Sequence, residues 1–169
     1  TRTMPYPGFP TDVQAPLTAM LTVADGTSVI IENIFESRYK HAAELIRFGA
    51  KISVEGRMEV IEGVPYLTGA SVVAPDLRGG FALILAGLAA RGETVVTGLE
   101  HIDRGYETPE AILCALGADV KRVQDNGTAK EYTKEQSTKT DGETGVPKGG
   151  NKTTGTPQPA TAVRETTAE

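Results

Sequence analysis

Four charged residues are spaced so that they could act together on an anionic ligand. Asp12 and Asp76 each follow a proline-containing turn, "FPTD" and "APD", at a predicted helix N-terminus. Arg38 and Arg104 each follow a predicted strand, in "FESR" and "HIDR". The Asp-to-Arg separation is 26 residues in one pair and 28 in the other. Positioned carboxylates suit proton transfer as general base or acid. A guanidinium fork binds carboxylate or phosphate in bidentate fashion, so two arginines converging on one pocket suit an anionic ligand. Each residue also has a plainer reading. Asp is a favoured N-cap that interacts well with the helix dipole, and a single loop arginine is usually a solvated charge. Against capping alone stand the proline-rich lead-in "PYPGFP" at 5–10, which a cap does not need, and the nearly constant separation.

Other candidates carry less. Arg78 and the glycines of "DLRGG" open a helix whose backbone N–H groups could face an anion, but close helix packing explains small residues equally well. Gly105 in "DRGYE" allows a tight turn that frees Arg104 to point at a ligand. No GxGxxG or GxxxxGK[ST] fingerprint is present. Cys114 lies among Ile112, Leu113 and Leu116 and reads as a small buried hydrophobe rather than a nucleophile. His41 and His101 lack metal-ligand spacing and read as structural.

The elements that must position these residues follow from periodicity. Residues 12–24 have helical spacing, with Pro16 tolerable only in a first turn; 26–35 is a β-branched strand. Residues 40–50 form an amphipathic helix closed by Gly49, and 51–63 alternate about Gly56 as a hairpin. The order then restarts: helix 77–92, strand 93–102, helix 108–118. Laid on itself with an offset of 66, "ADGTSVI" (24–30) meets "ARGETVV" (90–96), and Arg38 meets Arg104. With an offset of 64, Asp12 meets Asp76. The chain therefore holds a repeat of about 65 residues, consistent with a duplicated α/β element.

Composition divides the 169 residues in two. Residues 1–123 carry nearly all the apolar side chains, with 11 basic and 15 acidic residues. In the last 46 residues, 11 are Thr and only Val146 and Val163 belong to the set Ile, Leu, Val and Phe. Such a segment buries too little apolar surface to offset its ordering entropy, so 124–169 is expected to be a disordered tail. Neither part has the basic excess that phosphate-backbone binding requires, and Trp is absent, which argues against nucleic acid. No apolar run approaches the ~20 residues of a membrane helix and no signal-peptide pattern is present, so the expected location is the cytoplasm. One cysteine excludes an internal disulfide. The first residue is Thr1 rather than Met, and the expectation is a fragment.

Taken together, "PYPGFPTDVQAPL", "NIFESRYKH", "PDLRGG" with "LAGLAARGET", and "HIDRGYE" closely resemble the C-terminal part of the UDP-N-acetylglucosamine enolpyruvyl transferases, over about Met4 to Val123. The resemblance implies an α/β fold of repeated units with helices inside and sheets outside, an inside-out barrel. About two units of one domain are represented, near 11–75 and 76–123. It implies transfer of the enolpyruvyl group from phosphoenolpyruvate to the 3-hydroxyl of UDP-N-acetylglucosamine, the first committed step of peptidoglycan synthesis, without metal or organic cofactor. By motif match, Asp12 faces the sugar as base and Asp76 takes part in proton transfer. Arg38 and Arg104 hold phosphoenolpyruvate, with Arg104 also stabilising developing charge. Ile34, Phe35 and Glu36 lie near the sugar nucleotide, and Leu77 and Arg78 enter with the DLR motif.

The family's other half, with its lysine and loop cysteine, has no counterpart in the sequence. That half is thus an implied partner, and the polypeptide alone is expected to be inactive, with an unpaired sheet edge and exposed apolar surface. Two rivals share the evidence: a 5-enolpyruvylshikimate-3-phosphate synthase-type transferase acting on a small phosphorylated ring, and a non-catalytic half-protein that serves as a binding module.

Overall fold

The computed structural model describes residues 1–124, 129–130 and 161–165. After a 3-10 turn at Thr11–Val13, α1 (Gln14–Leu21) leads into β1 (Thr27–Ile31), α2 (Lys40–Arg47) and the hairpin β2 (Lys51–Glu55) and β3 (Met58–Glu62). Gly56 turns this hairpin with φ +58°, a left-handed conformation that a Cβ would strain. β3 lies between β1 and β2 and is antiparallel to both.

Short strands β4 (Leu67–Thr68) and β5 (Ser71–Val73) lead to α3 (Leu77–Ala89). Then come β6 (Ala90–Arg91), β7 (Thr94–Thr97), α4 (Glu100–Asp103), α5 (Pro109–Ala115), β8 (Val120–Gln124), β9 (Ala129–Lys130) and β10 (Thr161–Glu165). The second sheet has the order β5-β7-β10-β8-β9.

Helix α3 is apolar almost all round, and it buries Ala82, Leu83, Ile84 and Ala86 together with Gly79 and Gly80. A helix of that composition belongs in the interior. It packs on α1, α2 and α4, while the sheets lie outside the helices, as the family resemblance implies. Phe48, Leu45, Leu67, Val96, Leu99 and Ile102 complete the core around it. Gly80 is required there, because a Cβ would come within 2.7 Å of Ile102 and 2.8 Å of Ala74. Val13, Pro16, Leu17, Met20 and Val23 on the α1 side, with Leu85 and Ala89 of α3, line an open apolar groove; Met20 is 62% exposed.

Two expected strands stop early, for different reasons. β1 ends at Ile31 because the next residue, Glu32, turns its side chain back onto the backbone N–H groups of Ile34 and Phe35. The expected strand 93–102 ends at Thr97, where Gly98 takes φ +75° and the chain enters α4. The disordered-tail expectation for 124–169 falls largely outside the described residues. Among the described residues, β8 ends at Gln124, β9 pairs with β8, and β10 runs parallel to both β7 and β8. β10 lies between β7 and β8 as β3 lies between β1 and β2, but parallel to its neighbours rather than antiparallel. The backbone groups facing β10 from β7 and β8 need hydrogen-bond partners, which a strand of any composition supplies. Among the described residues, no helix is long and apolar enough to cross a membrane.

Candidate active site

Three loops meet at one cleft of about 390 Å3, lined by Asp12, Phe35, Ser37, Arg38, Asp76, Leu77 and Arg78. Asp12 enters from the 3-10 turn, which is set by the lead-in: Gly8 N–H donates to Pro5 O, and Met4 N–H donates to Phe9 O. A Cβ on Gly8 would collide with that of Met4, so only glycine fits.

Asp12 caps no helix. The residues at the cap positions are Pro10 for the 3-10 turn and Val13 for α1. Its Oδ1 instead accepts from Arg38 Nη2 and its Oδ2 from Arg78 Nη2, each at 3.1 Å. A carboxylate offers about four acceptor positions, so these bonds leave others open to the cleft. Asp76 behaves differently. It is the N-cap of α3, with Oδ1 accepting from Gly79 N–H at 2.7 Å, so the capping reading holds for this carboxylate even though it lines the cleft.

The two guanidiniums are held from behind. Arg38 lies over the Phe35 ring at 4.5 Å and donates through Nη1 to Thr11 Oγ1 at 3.2 Å. Arg78 donates through Nη1 to the Tyr106 hydroxyl at 2.8 Å and faces the Tyr106 ring, which stacks on Phe81. The Tyr106 hydrogen bond raises the Arg78 pKa, desolvation partly offsets it, and the Asp12 carboxylate adds to the rise, so Arg78 is always cationic.

The arginine pair of this cleft is therefore Arg38 with Arg78. Arg104 is exposed at the C-terminus of α4 and does not line the cleft. The expected equivalence of Arg38 and Arg104 fails in three dimensions because Arg38 follows a loop whereas Arg104 follows a helix. Its neighbour Gly105 approaches Leu77 so closely that a Cβ would come within 2.7 Å, which places the Arg104 loop beside the cleft wall. Of the other expected residues, Phe35 and Leu77 line the cleft, Ile34 is 38% exposed, and Glu36 points to solvent and pairs with Arg57 at 3.7 Å. Cys114 is half-buried and its thiol donates to Val120 O, in keeping with a structural part.

Sequence reasoning missed Thr11, Ser37, Tyr106 and Glu32. Glu32 had a legible signal, an acid inside the apolar run "VIIENIF". Its carboxyl is fully buried; desolvation pushes the pKa up, but hydrogen bonds from Thr3, Thr11, Ile34 and Phe35 outweigh it and hold the group below the usual carboxylate range.

Behind the cleft lies a second buried polar group. Glu59 Oε2 accepts from Thr18 Oγ1 at 2.6 Å and from Gln14 Nε2 at 3.2 Å, and its Oε1 stands 3.6 Å from His41 Nε2. Burial pushes Glu59 up to about 7, against the hydrogen bonds of Thr18 and Gln14. Burial likewise pushes His41 down to about 4, with Asp76 opposing the shift and Arg38 adding to it. Near neutrality the pair is thus a neutral imidazole beside an acid that burial biases toward its protonated form, rather than a salt bridge. Among the described residues, no group of three or more His, Cys, Asp or Glu could hold a metal ion.

The fold and this cleft define a class. A family model for EPSP synthase (3-phosphoshikimate 1-carboxyvinyltransferase) matches residues 1–113, and the chain belongs to that family. Within it, similar curated proteins are UDP-N-acetylglucosamine 1-carboxyvinyltransferases. One from Gluconobacter oxydans is 58% identical over 123 residues, 73% of this chain and 29% of that protein. One from Caldanaerobacter subterraneus subsp. tengcongensis is 57% identical over 121 residues, 72% of this chain and 29% of that protein. Among solved structures, the enolpyruvyl transferase NikO from Streptomyces tendae superposes with a TM-score of 0.61 at 29% identity, over 70% of this chain and 28% of its own. EPSP synthase from Acinetobacter baumannii superposes at 0.55 with 22% identity, over 91% of this chain and 31% of its own, a likeness of fold alone. The chain spans less than a third of the length of these relatives.

Proposed function

We propose that residues 1–123 form part of the active site of a UDP-N-acetylglucosamine 1-carboxyvinyltransferase, with the family's other half supplying the rest. The supporting observation is Asp12, a carboxylate that caps nothing and is held at the mouth of a cleft by two guanidiniums. In the reaction, the sugar 3-hydroxyl oxygen bonds to C2 of phosphoenolpyruvate. Its proton passes to a base, and the methylene carbon gains a proton. The C2–O bond to phosphate then breaks, the methyl carbon gives up a proton, and phosphate leaves. Asp12 is the base toward the sugar. Asp76 takes part in proton transfer at the carbon while also capping α3. Arg38 and Arg78 hold the anionic groups of phosphoenolpyruvate in the cleft and balance developing charge, and Arg104 joins them from the loop beside the cleft wall. Phe35, Ile34 and Glu36 face the sugar nucleotide. The location is the cytoplasm and the step belongs to peptidoglycan synthesis.

Replacing the matching segment of the Gluconobacter oxydans relative with residues 1–123 tests this reading by phosphate release. Release with UDP-N-acetylglucosamine and phosphoenolpyruvate, but not with shikimate 3-phosphate as acceptor, is expected. Release with the shikimate acceptor alone would favour the sister activity, and release with neither would favour a binding module. Purified 1–169 by itself is expected to show no turnover with either acceptor.

A further inference from the structure

We propose that Glu32 is a positioning residue that fixes Arg38 against Asp12; this rests on reading those two as site residues. Glu32 is fully buried and accepts four hydrogen bonds. Oε1 takes Thr3 Oγ1 at 2.7 Å, Ile34 N at 2.8 Å and Phe35 N at 3.1 Å. Oε2 takes Thr11 Oγ1 at 2.8 Å. The N-terminal residue Thr3, the Asp12 turn and the 33–38 loop that follows Glu32 itself thus converge on one carboxylate.

The Thr11 bond gives this hub a consequence for the cleft. A hydroxyl has one proton to donate, and Thr11 donates it to Glu32. Its lone pairs are then left to accept from Arg38 Nη1 at 3.2 Å, while Arg38 Nη2 donates to Asp12 Oδ1. The bonds run in one direction, from Arg38 through Thr11 to Glu32, and an acceptor-only carboxylate at the end sets that direction. A mere anchor for the 33–38 loop would need only Oε1; Oε2 is committed to Thr11. Glu32→Gln keeps the shape but presents an NH2 to a hydroxyl that already accepts from Arg38, so Thr11 loses its acceptor and the guanidinium loses a fixed partner.

The test uses nitrogen-15 NMR of the Arg38 side chain in the full 1–169 chain, together with kinetics of the chimeric transferase. Hydrogen-bonded Nη protons give slowly exchanging signals in the unaltered chain. Glu32→Gln is expected to broaden them away, and to lower kcat about ten- to a hundredfold with little change in KM. Thr11→Val is expected to reproduce the loss and Thr11→Ser to restore the signals, a pattern that lost loop stability would not follow. A folded Glu32→Gln chain with unchanged Arg38 signals overturns the proposal. Should that variant not fold, the Thr11 pair decides: Arg38 signals that survive in Thr11→Val overturn it. An inactive unaltered chimera counts against the transferase reading alone, because the NMR result stands without turnover.

Discussion

Asp12 and Asp76 occupy matching places in the repeat, yet their carboxylates do different work: Asp76 accepts the Gly79 N–H at the start of α3, whereas Asp12 spans Arg38 and Arg78 and caps nothing. Duplication of a unit carries a residue type to a second position. The surroundings that the new copy meets then set what the residue can do.

Substituting Asp12 by Asn in the chimeric enzyme should lower turnover by about 10²–10⁴, the range of a lost acid–base group. Stability should change by less than about 1 kcal/mol, since Asp12 is 57% exposed and exposed ion pairs contribute little. Steady-state phosphate release and urea unfolding check the two halves. Persisting turnover would reduce Asp12 to an anchor for arginines.

At Asp76 the two roles separate by substitution. Ala removes the cap and should cost about 1 kcal/mol, whereas Asn keeps an acceptor for Gly79 and should unfold nearly as the unaltered chain does. If Asp76 also moves a proton, both variants lose rate alike. Rates that track stability instead would leave Asp76 as a cap only.

Glu59 and His41 give opposite pH dependences. Glu59 has its folded pKa raised from 4.5 to about 7, so its contribution is fully present below pH 4.5 and is lost as pH rises through 7. His41 has its pKa lowered from 6.5 to about 4, so its contribution is present above pH 6.5 and is lost as pH falls through 4. Glu59→Gln removes only the first. Its stability relative to the unaltered chain should improve by up to about 3 kcal/mol between pH 4.5 and pH 8. Urea midpoints at the two pH values measure this, and an unchanged difference would show Glu59 to be ionised throughout.

Gly80→Ala is expected to destabilise, although Ala in a helix interior normally gains about 1 kcal/mol over Gly. The new methyl would press on Ile102 and Ala74 in the core, and overpacking of this kind costs about 1–3 kcal/mol. A thermal melt that moves upward would mean that α3 and α4 separate easily.

The sequence alone determined the repeat, the α1, α2 and α3 helices, the hairpin at Gly56 and the choice of Asp12 and Arg38 as candidates, while their ion pair is a finding of the structure. Each is carried by local periodicity, a turn residue or a family motif, and burial of one face writes itself into neighbouring residues. Tertiary structure decided the rest. Arg78 reaches Asp12 across 66 residues, and Arg104 ends on a short helix because Gly98 breaks the expected strand. The Thr161–Glu165 strand joins a sheet whose other strands lie far earlier in the chain, and Glu32 becomes a buried hub only when three segments close around it. Such contacts depend on which loops meet. Their partners leave no periodic trace, since an ion pair or a buried carboxylate needs one residue from each of two distant segments rather than a pattern within either.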